Sequence, residues 1–442
     1  MKKLILLWAM AGTFSAYAQD KVIETAPAAF SLQQAIDYAL KNQKDVKNAL
    51  LEEQVAKQKV HEVTGSGLPQ INATLDFKDY LKAPVLVFNG QPISIYPQYN
   101  VTPSLEGSQL LFSGEYLVGL QASKVYLELS KKSTESTRID LISTVTKAYY
   151  NTLIAQERME LLNANVNRVR KTLEDTKAFF NNGLVEKIDV DRLTVTYNGL
   201  LVEQDKVKRL VDVSILLLKF QIGLDIKANL TLTDKLANVE FDPATQISAD
   251  KFEYSKRVEY SLFETQSKLA RLDLKRNKFA YLPNAAAYAS MGKLYMSNNL
   301  DLVTHPDNKS AWFPMTVVGA KVTLPIFSGL QRNAKYQQAK LKTIEAENNL
   351  DFIRQSIDLE LASSLVTLQN ASATYNIQKE NIQIAEEVVR VSKIKYEQGV
   401  GSNLELITAE TALKEAQTNY YGALFDALVA KIDFDKANGN IK

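Results

Sequence analysis

Apolar positions along this chain follow two periods, and the period changes at recognisable landmarks. From Ser31, which can cap a first helical turn, Leu32, Ile36 and Leu40 recur at four-residue spacing and predict a helix that ends near Leu68-Pro69. Ile71, Ala73, Leu75 and Phe77 then alternate with Asn72, Thr74, Asp76 and Lys78, and after a loop Val101, Pro103 and Leu105 alternate with Thr102, Ser104 and Glu106. Strict alternation predicts two strands with one apolar face. Between Gly114 and Asn182 there is no proline and one internal glycine, Gly119, while Leu162, Val166, Val169 and Leu173 keep the spacing of a coiled-coil seam. This reads as one helix of about 69 residues, roughly 100 Å long at 1.5 Å per residue.

After Gly183 a second helical run reaches Phe220 and stops at Gly223, and after a loop containing Asp242-Pro243 another is predicted from about Ser248 to Tyr281. Two more strands follow, Pro283 to Met296, which alternates poorly, and Phe313 to Phe327, where Val318, Ala320, Val322 and Leu324 alternate with Gly319, Lys321 and Thr323. Pro103 and Pro314 should occupy edges or bulges, because proline cannot donate to a ladder. A long helix from Gly329 to Gln398 and a return helix beyond Gly399 complete the chain, with surface loops at 81–98 and 297–311.

The same landmarks occur twice. Leu68-Pro69 recurs as Leu282-Pro283, the LLFSG ending at Gly114 as the PIFSG ending at Gly329, Gly183 as Gly399 and Gly223 as Gly439, with shifts of 214 to 216 residues. An internal duplication is expected, with a first unit over 19–245 and a second over 246–442. The run before Gly223 and the run from Ser248, laid end to end, match the first long helix; the last helix matches the second long one only with the N-terminal helix added, which requires a closed ring.

Composition narrows the setting. The chain of 442 residues opens with Lys2 and Lys3, an apolar stretch from Leu4 to Met10 and Ala16-Tyr17-Ala18, a leader pattern expected to be cleaved after Ala18. No later stretch is long and apolar enough for a spanning helix, so any span must be a β-barrel. Of 52 basic residues, two leave with the leader, and the remaining 50 balance 50 acidic ones, which gives no surplus for nucleic acid. The absence of cysteine excludes disulfides, thiolate metal sites and a Cys nucleophile, and leaves no cysteine for an acylated anchor. His61 and His305 have no second ligand at metal spacing, and no Walker loop, GxSxG or paired-histidine motif is present. Neither metal nor cofactor is expected.

Four strands per chain cannot close a barrel, and lipid tolerates no free strand edge, so the chain must oligomerise. Helix, Leu-Pro, strand pair, F-S-G, long helix, tip glycine and return helix, twice over, resemble the TolC-type outer-membrane factor family across essentially the whole chain. That resemblance implies an α+β membrane protein in which a coiled-coil α-barrel continues a 12-stranded β-barrel built by a homotrimer. It implies an outer-membrane exit duct with a long periplasmic extension, in contact with outer-membrane lipid. Passive export through it would be driven by an inner-membrane pump through a periplasmic adaptor of the membrane fusion protein type.

The family places adaptor contacts at the helix tips, here Gly183, Leu184 and Val185 and again Gly399, Val400 and Gly401. It carries acids facing the tunnel entrance at the positions of Asp189 and Glu405, and a tyrosine at that of Tyr396, whose hydroxyl should cross to the other half, to Asp189. The family arginine is Gly401 here and a second acid is Thr408, so a differently latched gate is expected. Trp312, Phe313 and Phe327 suit an aromatic belt or barrel packing. A periplasmic coiled-coil adaptor or scaffold would share export and long helices but lack duplicated apolar-faced strands; an envelope enzyme would need a catalytic cluster.

Overall fold

The computed structural model describes residues 29–94, 96–236, 252–298 and 312–441. The leader at 1–18, Asp242-Pro243, His305 and most of the second surface loop lie outside the described residues.

A short parallel pair, β1 (Ala29–Phe30) with β6 (Thr231–Leu232), ties the start of the chain to its middle. Asp234 fastens it: its carboxylate accepts from the Leu32 amide at 2.9 Å and from the Tyr149 hydroxyl at 2.8 Å. Burial, then the adjoining Asp234, pushes the Tyr149 phenol well above its ordinary range. Around this point, midway along the helices, lies the largest apolar cluster, with Phe30, Ala35, Val46, Leu218, Ile222 and Ala427 fully buried.

The N-terminal helix is two helices, α1 (Leu32–Asn42) and α2 (Lys44–Gly65). Ser31 forms the capping box of α1 with Gln34, as expected of a serine N-cap. Gln43 breaks the helix with ψ at 135° and caps α2 by accepting from the Asp45 amide. The cause is tertiary: Gly223, left-handed at φ 74° at the end of α4 (Lys187–Ile222), presses on Gln43, and a Cβ there would lie 3.0 Å from the Gln43 Cα. At the other end of the chain Gly439, φ 73°, closes α7 (Asn403–Ala437) against Lys256, and a Cβ would lie 2.9 Å from its carbonyl oxygen. Next to it Arg257, 4 % exposed, donates to the Ala437 carbonyl and to Glu259 and Glu360, then α5 (Val258–Phe279) begins.

These joints correct the expected stacking. α4 abuts α2 and α7 abuts α5, rather than α4 running into α5 and α7 into the N-terminal helix. Length alone allows either exchange, and the contact of a Cβ-free helix end with one particular backbone decides it. The helix after the central loop starts at Val258, not near Ser248. Alongside run the two long helices, α3 (Gly114–Asn181) and α6 (Gln331–Glu397), of 68 and 67 residues and about 100 Å each. α3 packs on α4, α2, α5 and α7, whereas α6 packs on α7 and α5. The columns therefore stand in the order α4 with α2, then α3, then α7 with α5, then α6.

At the far end β2 (Gln70–Asp79), β5 (Tyr99–Phe112), β7 (Asn284–Ser297) and β8 (Trp312–Thr323) form one antiparallel sheet in the order β2-β5-β7-β8. Its register lines Leu75, Pro103 and Pro314 on one face, with Ala73, Leu105 and Met291 and then Ile71, Ala289 and Val318; Asn72, Glu106 and Ser290 fall on the other. Ile71, Leu75 and Val318 are wide open to the outside. β7 is a full strand despite its weak alternation, and β8 ends at Thr323, short of Phe327.

Pro314 lies on the edge strand β8, but Pro103 lies in the inner strand β5. The β5–β7 ladder skips Thr102 and Pro103, so the missing N–H meets no acceptor there. Gly292, which pairs with the next residue, Ser104, stands so close that a Cβ there would come within 2.6 Å of the Pro103 carbonyl oxygen. The segment read as a loop at 81–98 holds a hairpin, β3 (Val85–Phe88) and β4 (Gln91–Ser94), turning at Asn89 and Gly90 with φ 53° and 77°. Asn-Gly is the preferred pair for that turn. No helix among the described residues is long and apolar enough to cross a membrane.

Candidate functional site

The end of the helices remote from the sheet carries every residue singled out for function. α3 and α6 stop for the same local reason: a left-handed glycine frees the last carbonyls to accept from residues beyond the helix. At Gly183, φ 75°, the Leu184 amide returns to the Phe179 carbonyl at 2.9 Å, and the Gly183 amide to Phe180 at 2.9 Å. At Gly399, φ 73°, the Val400 amide returns to Lys395 and the Gly399 amide to Tyr396, both at 3.0 Å. These turns push apolar side chains into the open: Leu184 is 71 % and Val400 79 % exposed, while Val185 is half-buried. Gly401 packs so tightly that a Cβ would lie 2.8 Å from the Lys395 Cβ, which leaves no room for the arginine of the family pattern.

Asp189 lies in the first turn of α4 and Glu405 in the first turn of α7. Glu405 is capped locally, its amide donating to Ser402 Oγ at 3.1 Å, and its carboxylate meets Lys395 Nζ at 3.1 Å. Asp189 faces Arg192 at 3.9 Å and receives Asn403 Nδ2 at 3.1 Å on both its carbonyl and its Oδ1. Asn403, nearly buried at the start of α7, thus binds one tip to the other, and nothing in the sequence pattern singled it out. Tyr396 does reach across to the other half of the chain, but its partner is Thr176 on α3, at 2.9 Å between hydroxyl oxygens, and not Asp189. Thr176 is fully buried, so a hydroxyl there would lose its solvation without Tyr396.

Above the tips the helices meet in two kinds of seam. α3 against α4 is apolar: Leu162, Val166, Val169 and Leu173 interleave with Leu193, Leu200 and Val207. α6 against α7 is likewise apolar at Val389, Ala409 and Leu413. α3 against α7 carries polar rungs instead. Arg168 grips Glu410 through Nη2 at 2.7 Å and Nε at 3.1 Å and also holds Asn165, whose amide donates to Gln417 at 2.8 Å. Further up, Lys147 pairs with Asp433 and Lys436 with Asp140 at 2.6 Å. The helices of each hairpin are joined by apolar packing, whereas between the two hairpins hydrogen bonds and charge form rungs, beside the apolar cluster at mid-height that both hairpins share and Ile407, which packs on the α3–α4 seam.

A family model described as outer membrane efflux protein matches residues 35–209 and 261–440. The chain belongs to that family. TtgC of Pseudomonas putida, a probable efflux pump outer membrane protein, is 22 % identical over 92 % of this chain and 83 % of its own length. The outer membrane protein TolC of Escherichia coli is 22 % identical over 100 % of this chain and 87 % of its own. Among solved structures, the CmeC outer membrane channel of Campylobacter jejuni superposes with a TM-score of 0.76 at 20 % identity, over 92 % of this chain and 85 % of that one. Outer membrane efflux proteins are channels with a long periplasmic tunnel, and not enzymes. Membership sets aside the adaptor or scaffold alternative.

Proposed function

We propose that three copies of this chain form one exit duct, a 12-stranded barrel continued by a tunnel of helices, which serves as the outer-membrane component of a tripartite export assembly. The observation that carries this reading is a pair of matching apolar stripes on the two outermost columns. On α4, Ile188, Val195, Val202, Val213 and Phe220 are exposed at steps of seven, seven, eleven and seven residues. On α6, read upward from its own tip, Val391, Ile384, Ile377, Val366 and Leu359 are exposed at seven, seven, eleven and seven. Steps of seven and eleven keep one helix face, and the longer step falls at the same height on both. Joining the α4 edge of one copy to the α6 edge of the next is a heterologous contact that closes into a ring. The same ring pairs β2 of one copy with β8 of another and removes both strand edges from lipid.

In this duct the leader at 1–18 is removed on export, and two units divided near residue 245 contribute one hairpin each to the tunnel. The tips at Gly183 to Val185 and Gly399 to Gly401 present the adaptor with exposed Leu184 and Val400, and an inner-membrane pump drives transport. Asp189, Glu405 and Tyr396 form the gate, latched by Asn403 and Thr176, and opening parts the two hairpins along their polar seam.

Single-channel recording in a planar bilayer tests the reading. The purified protein should give long-lived, low-conductance, cation-preferring openings, and Asp189→Ala with Glu405→Ala should abolish the preference. Asn403→Ala with Tyr396→Phe should raise conductance. A protein that stays soluble without detergent and forms no channel overturns the duct.

A further inference from the structure

The hairpin β3–β4 stands beyond the sheet on the side away from the helices. The β2–β5 ladder continues only as far as the Tyr80 amide on the Gln98 carbonyl at 2.7 Å. Register puts Val85, Val87 and Pro92 on one face of the hairpin and Leu86, Phe88 and Ile93 on the other. Each face is apolar at three of its four paired positions, the fourth being Ser94 on the Val87 face and Gln91 on the Phe88 face, and Val87 and Phe88 are 71 % and 67 % exposed. An isolated two-stranded hairpin is marginal in water, so these faces need cover. Lipid does not supply it, because the two outer edges of the hairpin carry unpaired backbone groups that hydrocarbon cannot satisfy. A single docking partner, or a membrane surface, would use one apolar face and leave the other wet.

We propose that the cover is the same hairpin of the two neighbouring copies: the three hairpins converge over the outer mouth, each setting its Val87 face against the Phe88 face of the next. This rests on the three-fold duct proposed above. Three-fold packing is the arrangement in which one hairpin has a neighbour on each side, and it uses both faces while leaving both edges to water. Charge permits it, since Lys82 is the only ionisable side chain between Leu81 and Ile95 and lies at the base. Reach permits it as well. A 12-stranded barrel has a radius of about 12 Å at the usual strand spacing and tilt, and the eight residues from Leu81 to Phe88 extend to at most about 26 Å.

The chain contains no cysteine, so introduced ones react alone. Membranes from cells that co-express chains carrying Val87→Cys and chains carrying Phe88→Cys are treated with a mild oxidant. Covalent dimers are expected from the mixture and not from either variant by itself, because unlike faces meet. A parallel sample co-expressing Val202→Cys and Ile377→Cys reads the proposed α4–α6 seam. Dimers at the seam but none at the hairpin overturn the hairpin contact and leave the duct standing. No dimers at either place overturn the three-fold reading itself. Homotypic dimers from Phe88→Cys alone overturn the head-to-tail packing, and immersion of a spin label at Phe88 in lipid overturns the contact in favour of the membrane.

Discussion

α3 has two neighbours along its lower half and treats them differently. Toward α4 it offers leucine and valine at coiled-coil spacing, and toward α7 it offers Asn165, Arg168 and, higher up, Asp140 and Lys147. An apolar seam resists separation because every residue withdrawn from it leaves a cavity or enters water, at a cost that has no substitute partner. The polar rungs separate at smaller net cost, because water takes over each hydrogen bond once the seam opens, although Asn165, Gln417 and Glu410 are nearly buried while it is closed. The opening motion proposed above follows from this difference: each hairpin would hold together, and the line between hairpins would yield.

The strongest way to break the comparison is to excavate the apolar seam. Leu200→Ala or Leu173→Ala should each lose about 2–5 kcal/mol, seen as a large drop in the midpoint of thermal unfolding by circular dichroism in detergent. If either is neutral, the α3–α4 hairpin is not held as described. At the joints, where each hairpin ends against an upper helix, Gly223→Ala and Gly439→Ala force an L side chain into left-handed backbone and close contact. Each should cost about 1–3 kcal/mol, and equal costs would show that the neutral joint at Gln43 and the ionic one at Arg257 hold their columns equally well. In the polar seam, Arg168→Met strands the nearly buried Glu410 and should cost about 1–2 kcal/mol, most of it restored by adding Glu410→Leu. The smallest effect is alkaline. Burial, together with Glu157, Glu386 and Glu160, pushes the Tyr421 phenol on α7 up to about 12. The fold therefore favours the neutral ring, so its contribution is complete below the unfolded value of about 10 and is lost as pH rises from there through about 12. Phenolate absorbance should lag behind that of the unfolded chain in this window, and Tyr421→Phe should shrink the lag by one ring's share, the buried Tyr149 still contributing its own.

Long elements were legible in the sequence because each rests on many residues: about nineteen turns of α3 without a proline admit one reading, and three of the four long strands show their apolar face in three or four alternate positions. What escaped were features set by one contact between distant segments. Nothing around Gln43 signals a helix break, which is imposed by Gly223 from 180 residues away. The Asn89-Gly90 hairpin did carry its signal, Val85 to Phe88 followed by the turn pair, and was obscured by its place between two stronger strands. At the tips, glycine marked the turns, but the partners of Tyr396 and Asp189 could not be read. Thr176 and Asn403 are ordinary polar residues whose role comes from burial, which local pattern does not encode.

The two seams of α3 also govern which changes of length the chain can survive. Removing one residue between Asp140 and Leu162 turns everything below it by 100° and lifts it by 1.5 Å. Leu162 and Leu173 would then face α7, and Asn163, Arg170 and Glu174 would take the places of Leu162, Val169 and Leu173 against α4, so a single codon lost in a column destroys the fixed seam. Removing seven residues preserves the facing but leaves α3 shorter than its neighbours by about 10 Å, so it must be matched in α4, α6 and α7 at once. Drift in length is therefore confined to the segments that lie between columns, such as the stretch from Gly223 to Arg257 and the hairpin excursion, and the helices are expected to keep their lengths while their residues change.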